Sequence, residues 1–471
     1  MSGSAKSFGR KGAVRAVALS ALLVAAGCGG RPEGVLIPTP VVDVPGTSRV
    51  EMMVATTRAQ DTVDRGVLFS GERGGALSFV DIVVSIPPDA NRRVGEVQWP
   101  KRMPPDPLHD FTTVSVTFLD EIQAKAAMKR IVHETEGKRA LLFIHGFNNK
   151  FEDAVYRFAQ FVHDAGAPMV PVLFTWPSRA RLFSYNYDRE STAYSRDGLE
   201  KTARALAGAP KVSEVTILAH SMGAWLTVET LRQMAIRDHG KLPKEIRNVI
   251  LAAPDVDIDV FLTQLKEIGH AGPAYTVFVS RGDRALAVSR RVWGSRARLG
   301  AIDPNDPQIK EELSGYNITI VDLTNVTDGG DSLAHSTFST SPEVVRLLGT
   351  QLASGQTLTD SDVSIGDRIG QFTTGAAASV GSAAGLIVTA PIAIFDPNTR
   401  DTYGQRMGQF GETVGDTASA AGSVATAPVE AISGGQTSRA GARPPVAASS
   451  RKPAQPTPAP AGTTPLPAAS R

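Results

Sequence analysis

The chain has 471 residues, 42% of them hydrophobic and 20% charged, with 44 Gly, 31 Pro and a single Cys. Lys and Arg number 49 against 47 Asp and Glu, a formal net charge of +2, so no field of one sign exists to hold nucleic acid. One cysteine excludes an intramolecular disulfide framework and any cluster of cysteine ligands, and the position of that thiol becomes the question.

At the amino terminus Lys6, Arg10, Lys11 and Arg15 precede an uncharged stretch from Ala16 to Ala26, the order of a secretory signal and too short to span a bilayer comfortably. The following Ala25-Ala26-Gly27-Cys28 resembles a bacterial lipobox, in which the cysteine sulfur is diacylated. The resemblance implies a signal peptide over residues 1–27 and a lipidated Cys28 that tethers the folded part to a membrane surface. Gly29 rather than Asp follows the cysteine, which by the same resemblance implies the outer membrane of a bacterial envelope, with the protein facing the periplasm. Residues 28–46 are Pro-rich and read as a tether.

Residues 47–352 read as one globular domain. Arg49 to Thr57, Leu77 to Ile86 and Thr112 to Leu119 carry the alternation and β-branching of strands. Six short apolar runs follow, at Ala140 to Ile144, Met169 to Phe174, Val215 to Leu218, Val249 to Ala252, Tyr275 to Val279 and Ile318 to Leu323. Such runs suit buried parallel strands. Between and after them, Glu152 to Ala165, Ser191 to Ala207, Met222 to Arg237, Ile258 to Ile268 and Pro342 to Leu352 repeat apolar residues at helical spacing. The alternation predicts a mostly parallel, doubly wound α/β sheet with antiparallel strands at its amino-terminal edge. Only about twenty residues separate Ala252 from Tyr275, room for one amphipathic helix and not for a large cap domain.

Beyond Leu352 the composition shifts. Residues 353–440 hold two degenerate Gly/Ala-rich repeats: Gly366-Asp367-Arg368-Ile369-Gly370-Gln371-Phe372 returns as Gly404-Gln405-Arg406-Met407-Gly408-Gln409-Phe410. In the first copy, small residues at four-residue steps (Gly366, Gly370, Thr374, Ala378, Ser382) suit helical hairpins packed on the domain or on a membrane surface, and its uncharged stretch from Ile369 to Phe395 leaves bilayer insertion as the alternative. Residues 441–471 carry eight prolines among Ala, Thr and Ser and read as a disordered tail.

Chemistry concentrates in three places. Ala219-His220-Ser221-Met222-Gly223 follows an apolar strand and opens a helix, the context of a nucleophile elbow, whose tight turn needs small neighbours and lifts a serine above the sheet. The competing reading of Ser221 is a helix N-cap. Upstream, Leu141-Leu142-Phe143-Ile144-His145-Gly146-Phe147-Asn148-Asn149 ends a strand with His-Gly where a serine hydrolase places its second oxyanion donor. The backbone amides of Phe147 and Met222 are the two expected donors, and His145 and His220 are expected to pack or orient, not to transfer protons. A serine hydroxyl needs an imidazole to take its proton and a carboxylate to support that imidazole. Asp283, just after the strand Tyr275 to Val279, is the expected acid, with Asp255 and Asp257 as rivals. His335, between the last strand and the final helix, is the expected base, with His270 as the fallback.

On these motifs the chain resembles the α/β-hydrolase superfamily, within it a bacterial group of uncharacterised esterase- and lipase-like proteins. The likeness is carried by His145 to Asn149, Trp176 to Ser178 and Ala219 to Gly223, with Ala55-Thr56-Thr57-Arg58 and Val84-Ser85-Ile86-Pro87-Pro88, and spans about residues 48–352. It implies the fold and hydrolase chemistry but no particular substrate.

The expected activity is cleavage of carboxylic esters, from a small ester or lipid substrate, through an acyl-enzyme on Ser221. An acyltransferase on the same triad and a catalytically silent envelope scaffold are the alternatives. The aromatic and basic stretch Trp176 to Tyr187 is a candidate wall of the acyl pocket, and its charge favours anionic substrates. No cofactor is expected: the sequence has no Gly-x-x-x-x-Gly-Lys-Ser/Thr loop, no His-Glu-x-x-His and no Gly-x-Gly-x-x-Gly opening a helix after a strand.

Overall fold

The computed structural model of the protein describes residues 33–39, 44–64, 66–293, 297–326 and 334–354. Cys28, the signal peptide, the repeats beyond residue 354 and the Pro-rich tail lie outside the described residues.

Among the described residues nine strands form one sheet: β1 (Ser48–Gln60), β2 (Phe69–Ile86), β3 (Thr112–Leu119), β4 (Arg139–Ile144), β5 (Met169–Thr175), β6 (Glu214–His220), β7 (Ile246–Ala252), β8 (Ala274–Val279) and β9 (Ile318–Asp322). Their order is β3-β2-β1-β5-β4-β6-β7-β8-β9. β1, β2 and β3 pair antiparallel, while every pair from β1/β5 to β8/β9 is parallel. The expected mixed sheet, with antiparallel strands at its amino-terminal edge, is the one observed. Ile144 lies opposite Phe174 and Ala219, and His220 opposite Ala252, so the carboxyl ends of the central strands finish together. In open α/β sheets that edge is where ligands bind.

Helices cover both faces because the central strands are apolar on both. In β4, Ala140, Leu142 and Ile144 enter one core, while Leu141 and Phe143 enter the other. The first core is closed by α1 (Glu121–Glu134), α3 (Tyr185–Ala207), α4 (Met222–Arg237) and α5 (Ile258–Ile268). α2 (Phe151–Ala165) and α9 (Pro342–Ser354) close the second. Three shorter helices, α6 (Arg284–Trp293), α7 (Pro307–Leu313) and α8 (Thr337–Thr340), lie in the loops around β8 and β9. Between β7 and β8 runs α5 alone, so no cap domain is inserted there.

Sequence periodicity missed α1, yet its start was legible. The Asp120 carboxylate accepts from the Gln123 amide and the Gln123 side chain accepts from the Asp120 amide, a reciprocal capping box. The Pro-rich stretch also holds more than a spacer. Val35 and Leu36 are buried in the second core, and the Val35 carbonyl accepts from the Tyr156 and Thr113 hydroxyls.

Candidate active site

Ser221 sits at the turn from β6 into α4 with φ 53° and ψ −118°, a conformation uncommon outside glycine. Holding a non-glycine residue there costs on the order of 1–3 kcal/mol, which the surrounding packing must offset. Its side chain makes no capping hydrogen bond to α4, so the N-cap alternative is not what the turn uses it for. The turn is over-determined on both flanks. The Ser221 amide donates to the Ala252 carbonyl at 2.9 Å and the Ser221 carbonyl accepts from the Asp255 amide at 3.2 Å. Gly223 lies against the end of β4 so closely that a β-carbon would sit 2.4 Å from the His145 carbonyl oxygen. Small neighbours are therefore required by contact as well as by turn geometry.

His335 Nδ1 donates to Asp283 Oδ2 at 2.6 Å. Asp283 is buried, and its other oxygen accepts from the Leu286 amide at 2.9 Å, which fixes the carboxylate at the start of α6. His220 Nε2 donates to the His335 carbonyl at 3.1 Å, and the two rings lie 4.8 Å apart. The residue preceding Ser221 thus holds the His335 segment against the elbow. Burial, and next the charge of His335, push the His220 imidazole well below its usual range and keep it neutral.

The rival carboxylates are engaged elsewhere. Asp255 accepts from the Tyr185 hydroxyl at 2.8 Å and the Ser289 hydroxyl at 2.7 Å, and pairs with Arg298 at 3.3 Å. Asp257 caps α5 by accepting from the Asp259 amide. His270 bonds to the Gly315 carbonyl and stacks on Tyr316. The structure brings His335 and Asp283 against His220, the residue before Ser221, and engages the Asp255 and Asp257 carboxylates with other partners.

The loop after β4 closes the opposite side. A β-carbon on Gly146 would meet His220 Nδ1 at 2.8 Å and the Ser221 β-carbon at 3.0 Å, so this loop touches the elbow directly. Met222 is the first residue of α4, where an amide has no partner within its helix. The Phe147 amide likewise has no acceptor among the described residues. The Phe147 ring packs on Tyr185, 5.2 Å between centroids.

Sequence reasoning missed the buried polar network under that loop. Arg58, from β1, is fully buried and donates to the carbonyls of Asn149 at 2.8 Å and Ser178 at 3.0 Å. Ser178 accepts from the Asn149 amide at 3.2 Å and donates to Asp188 at 2.5 Å. Burial pushes the Asp188 carboxyl up to about 6, and it lowers the Arg58 guanidinium to about 10. His145 stacks on Trp176 with ring centroids 4.9 Å apart, accepts from the Trp176 amide at 3.1 Å and receives the indole N–H on its carbonyl at 2.8 Å. Burial first, and the Arg58 charge second, lower its imidazole to about 3. The signal was present as three motifs containing Thr56-Thr57-Arg58, His145 to Asn149 and Trp176 to Ser178, but nothing in their spacing says that they meet.

Among the described residues no group of histidine, cysteine and carboxylate side chains could hold a metal ion, and no helix is long and apolar enough to cross a membrane.

Residues 120–351 match the profile of a family described as "Alpha/beta hydrolase of unknown function (DUF900)". No curated protein matches the chain. Among solved structures it is similar to an esterase of Pyrobaculum calidifontis, at 11% identity over 75% of this chain and 96% of that one with a TM-score of 0.30. It is also similar to a thermostable carboxylesterase cloned from a metagenomic library, at 13% identity over 73% and 96% of the two chains with a TM-score of 0.29. By its strand order, its crossover helices and the family profile it matches, the protein has the α/β-hydrolase fold.

Proposed function

We propose that the protein is a serine hydrolase that cleaves carboxylic esters through an acyl-enzyme on Ser221. One observation carries this reading: a serine held at positive φ on a strand-to-helix turn, spared from capping, with a His335–Asp283 pair tied against it by His220. In the reaction His335 takes the Ser221 proton as Oγ bonds the ester carbonyl carbon. The oxygen that becomes negative is met by the Phe147 and Met222 amides, each such donor contributing on the order of 10²- to 10³-fold in rate. Collapse of the tetrahedral state breaks the bond to the alcohol, which leaves with the proton from His335. Water then repeats the sequence on the acyl-enzyme. Asp283 holds the imidazole in the tautomer that leaves its other nitrogen facing the serine.

Tyr185 packed on Phe147, and the absence of an insertion between β7 and β8, support a small ester or lipid substrate. With Cys28 lipidated, the enzyme acts on the periplasmic side of a bacterial outer membrane.

The test is a fluorophosphonate probe on the full chain, with the labelled peptide mapped by mass spectrometry. Labelling at Ser221, abolished in Ser221→Ala and reduced at least tenfold in Asp283→Ala and His335→Ala, is the expected result. A folded parent that takes no label would sink the hydrolase reading and leave the scaffold in its place. Full labelling of Asp283→Ala would move the acid to Asp255. Lipidation is tested separately by metabolic incorporation of an alkyne fatty acid, which Cys28→Ser should lose.

A further inference from the structure

The Gly146–Phe147 peptide group has two faces that matter. Its carbonyl, on Gly146, accepts from His145 Nδ1 at 2.8 Å and from Asn149 Nδ2 at 3.2 Å. Its N–H belongs to Phe147. Across a planar trans peptide the carbonyl and the N–H point in opposite directions, so whatever pins the oxygen also aims the hydrogen. We propose that His145 and Asn149 are positioning residues that clamp the Gly146 carbonyl and thereby aim the Phe147 amide at the reacting oxygen, with Arg58 anchoring the clamp from below. The inference rests on the reading of Phe147 as an oxyanion donor.

Each arm of the clamp is itself fixed. A carbonyl oxygen only accepts, so His145 must carry its proton on Nδ1, and the Trp176 amide accordingly donates to the bare Nε2. Stacking on Trp176 holds the ring plane. A protonated imidazole would lose the acceptor that Trp176 uses, and burial beside Arg58 keeps it neutral through ordinary pH. Asn149 is held at both backbone groups, its amide on the Ser178 hydroxyl and its carbonyl on Arg58, while its side-chain amide spans the carbonyls of Gly146 and Phe147. Between the arms Asn148 takes φ 63°, which folds the loop back so that Asn149 can reach Gly146. Electrostatic stabilisation of a transition state depends on donors that are oriented before the reaction, and a peptide free to rock would have to be oriented during it.

The experiment compares the full chain with Asn149→Ala and Arg58→Lys. Ester turnover is normalised by active-site titration, and the affinity of a boronic acid, which mimics the tetrahedral state, is measured beside that of an uncharged substrate-like inhibitor. For Asn149→Ala the expected result is a 10- to 100-fold fall in kcat with KM within about twofold, and an equal weakening of boronate affinity with the substrate-like inhibitor unchanged. Arg58→Lys, which keeps the charge but not the two-pronged reach, should show a smaller loss of the same kind. Unchanged kcat, or a rise in KM alone, overturns the clamp. A crystal structure of Asn149→Ala separates this from the enzymatic reading: a rotated Gly146–Phe147 peptide supports the clamp even in an inactive parent, and an unmoved one overturns it even in an active parent.

Discussion

His145 and His220 precede Gly146 and Ser221, and each is kept neutral by burial while its ring hydrogen-bonds to the protein, His145 to the Gly146 carbonyl and the Trp176 amide and His220 to the His335 carbonyl. That neutrality makes stability depend on pH in a calculable direction. A histidine whose pKa is lower in the folded than in the unfolded chain contributes stability that is full above the unfolded value, near 6.5, and is lost as pH falls toward the folded value, about 3 for His145. Between pH 7 and pH 5 the loss from His145 alone is about 2 kcal/mol. Asp188, raised to about 6, works the other way and returns part of this below pH 6. The comparison that isolates the histidine is parent against His145→Gln, by urea denaturation at pH 7, 6 and 5. The variant should be less stable at pH 7 for want of the stack on Trp176, yet lose about 2 kcal/mol less than the parent on going to pH 5. Parallel pH curves would show that His145 is not the titrating group.

At the scale of elements, the site depends on how closely α4 and the loop after β4 approach each other. Gly223 permits that approach: a methyl group would lie 2.4 Å from the His145 carbonyl oxygen and 2.8 Å from that of Ile144, both backbone atoms that cannot swing aside. Gly223→Ala is therefore expected to cost roughly 1–3 kcal/mol. Because the strain falls where the elbow meets the loop, ester turnover should drop by more than the melting temperature suggests, which circular dichroism and kinetics on one preparation will show. Ala219, at the position usually held by glycine, is the last core residue of β6 and fully buried. The sequence pattern placed these elements well, since apolar runs and helical spacing carry through the central sheet. It was weakest where an element is short: α7 has seven residues and α8 four, too few for a helical period to show.

For the whole molecule, the antiparallel strands are more than an appendage to the parallel sheet. β1 brings Arg58 beneath the loop after β4, 87 positions along the chain from His145. The segment of residues 33–39 is stitched to the same side through Val35 and Leu36. Leu36 is fully buried, so Leu36→Ala should cost about 2–4 kcal/mol. A thermal denaturation that finds Leu36→Ala as stable as the parent would mean that the segment lies on the domain without supporting it.

What the sequence alone determined is what local chemistry determines. Strand and helix periods and a small-residue turn around Ser221 are each readable within a few residues of chain. Tertiary structure decided what depends on long-range contact. It joined Asp283 to His335 across 52 positions and turned Asp255 toward Tyr185, Ser289 and Arg298, a choice between carboxylates that spacing leaves open. It also drew Arg58, Ser178 and Asp188 into one buried network, because a desolvated charge must find its partners wherever the fold brings them, and no local pattern records where that will be.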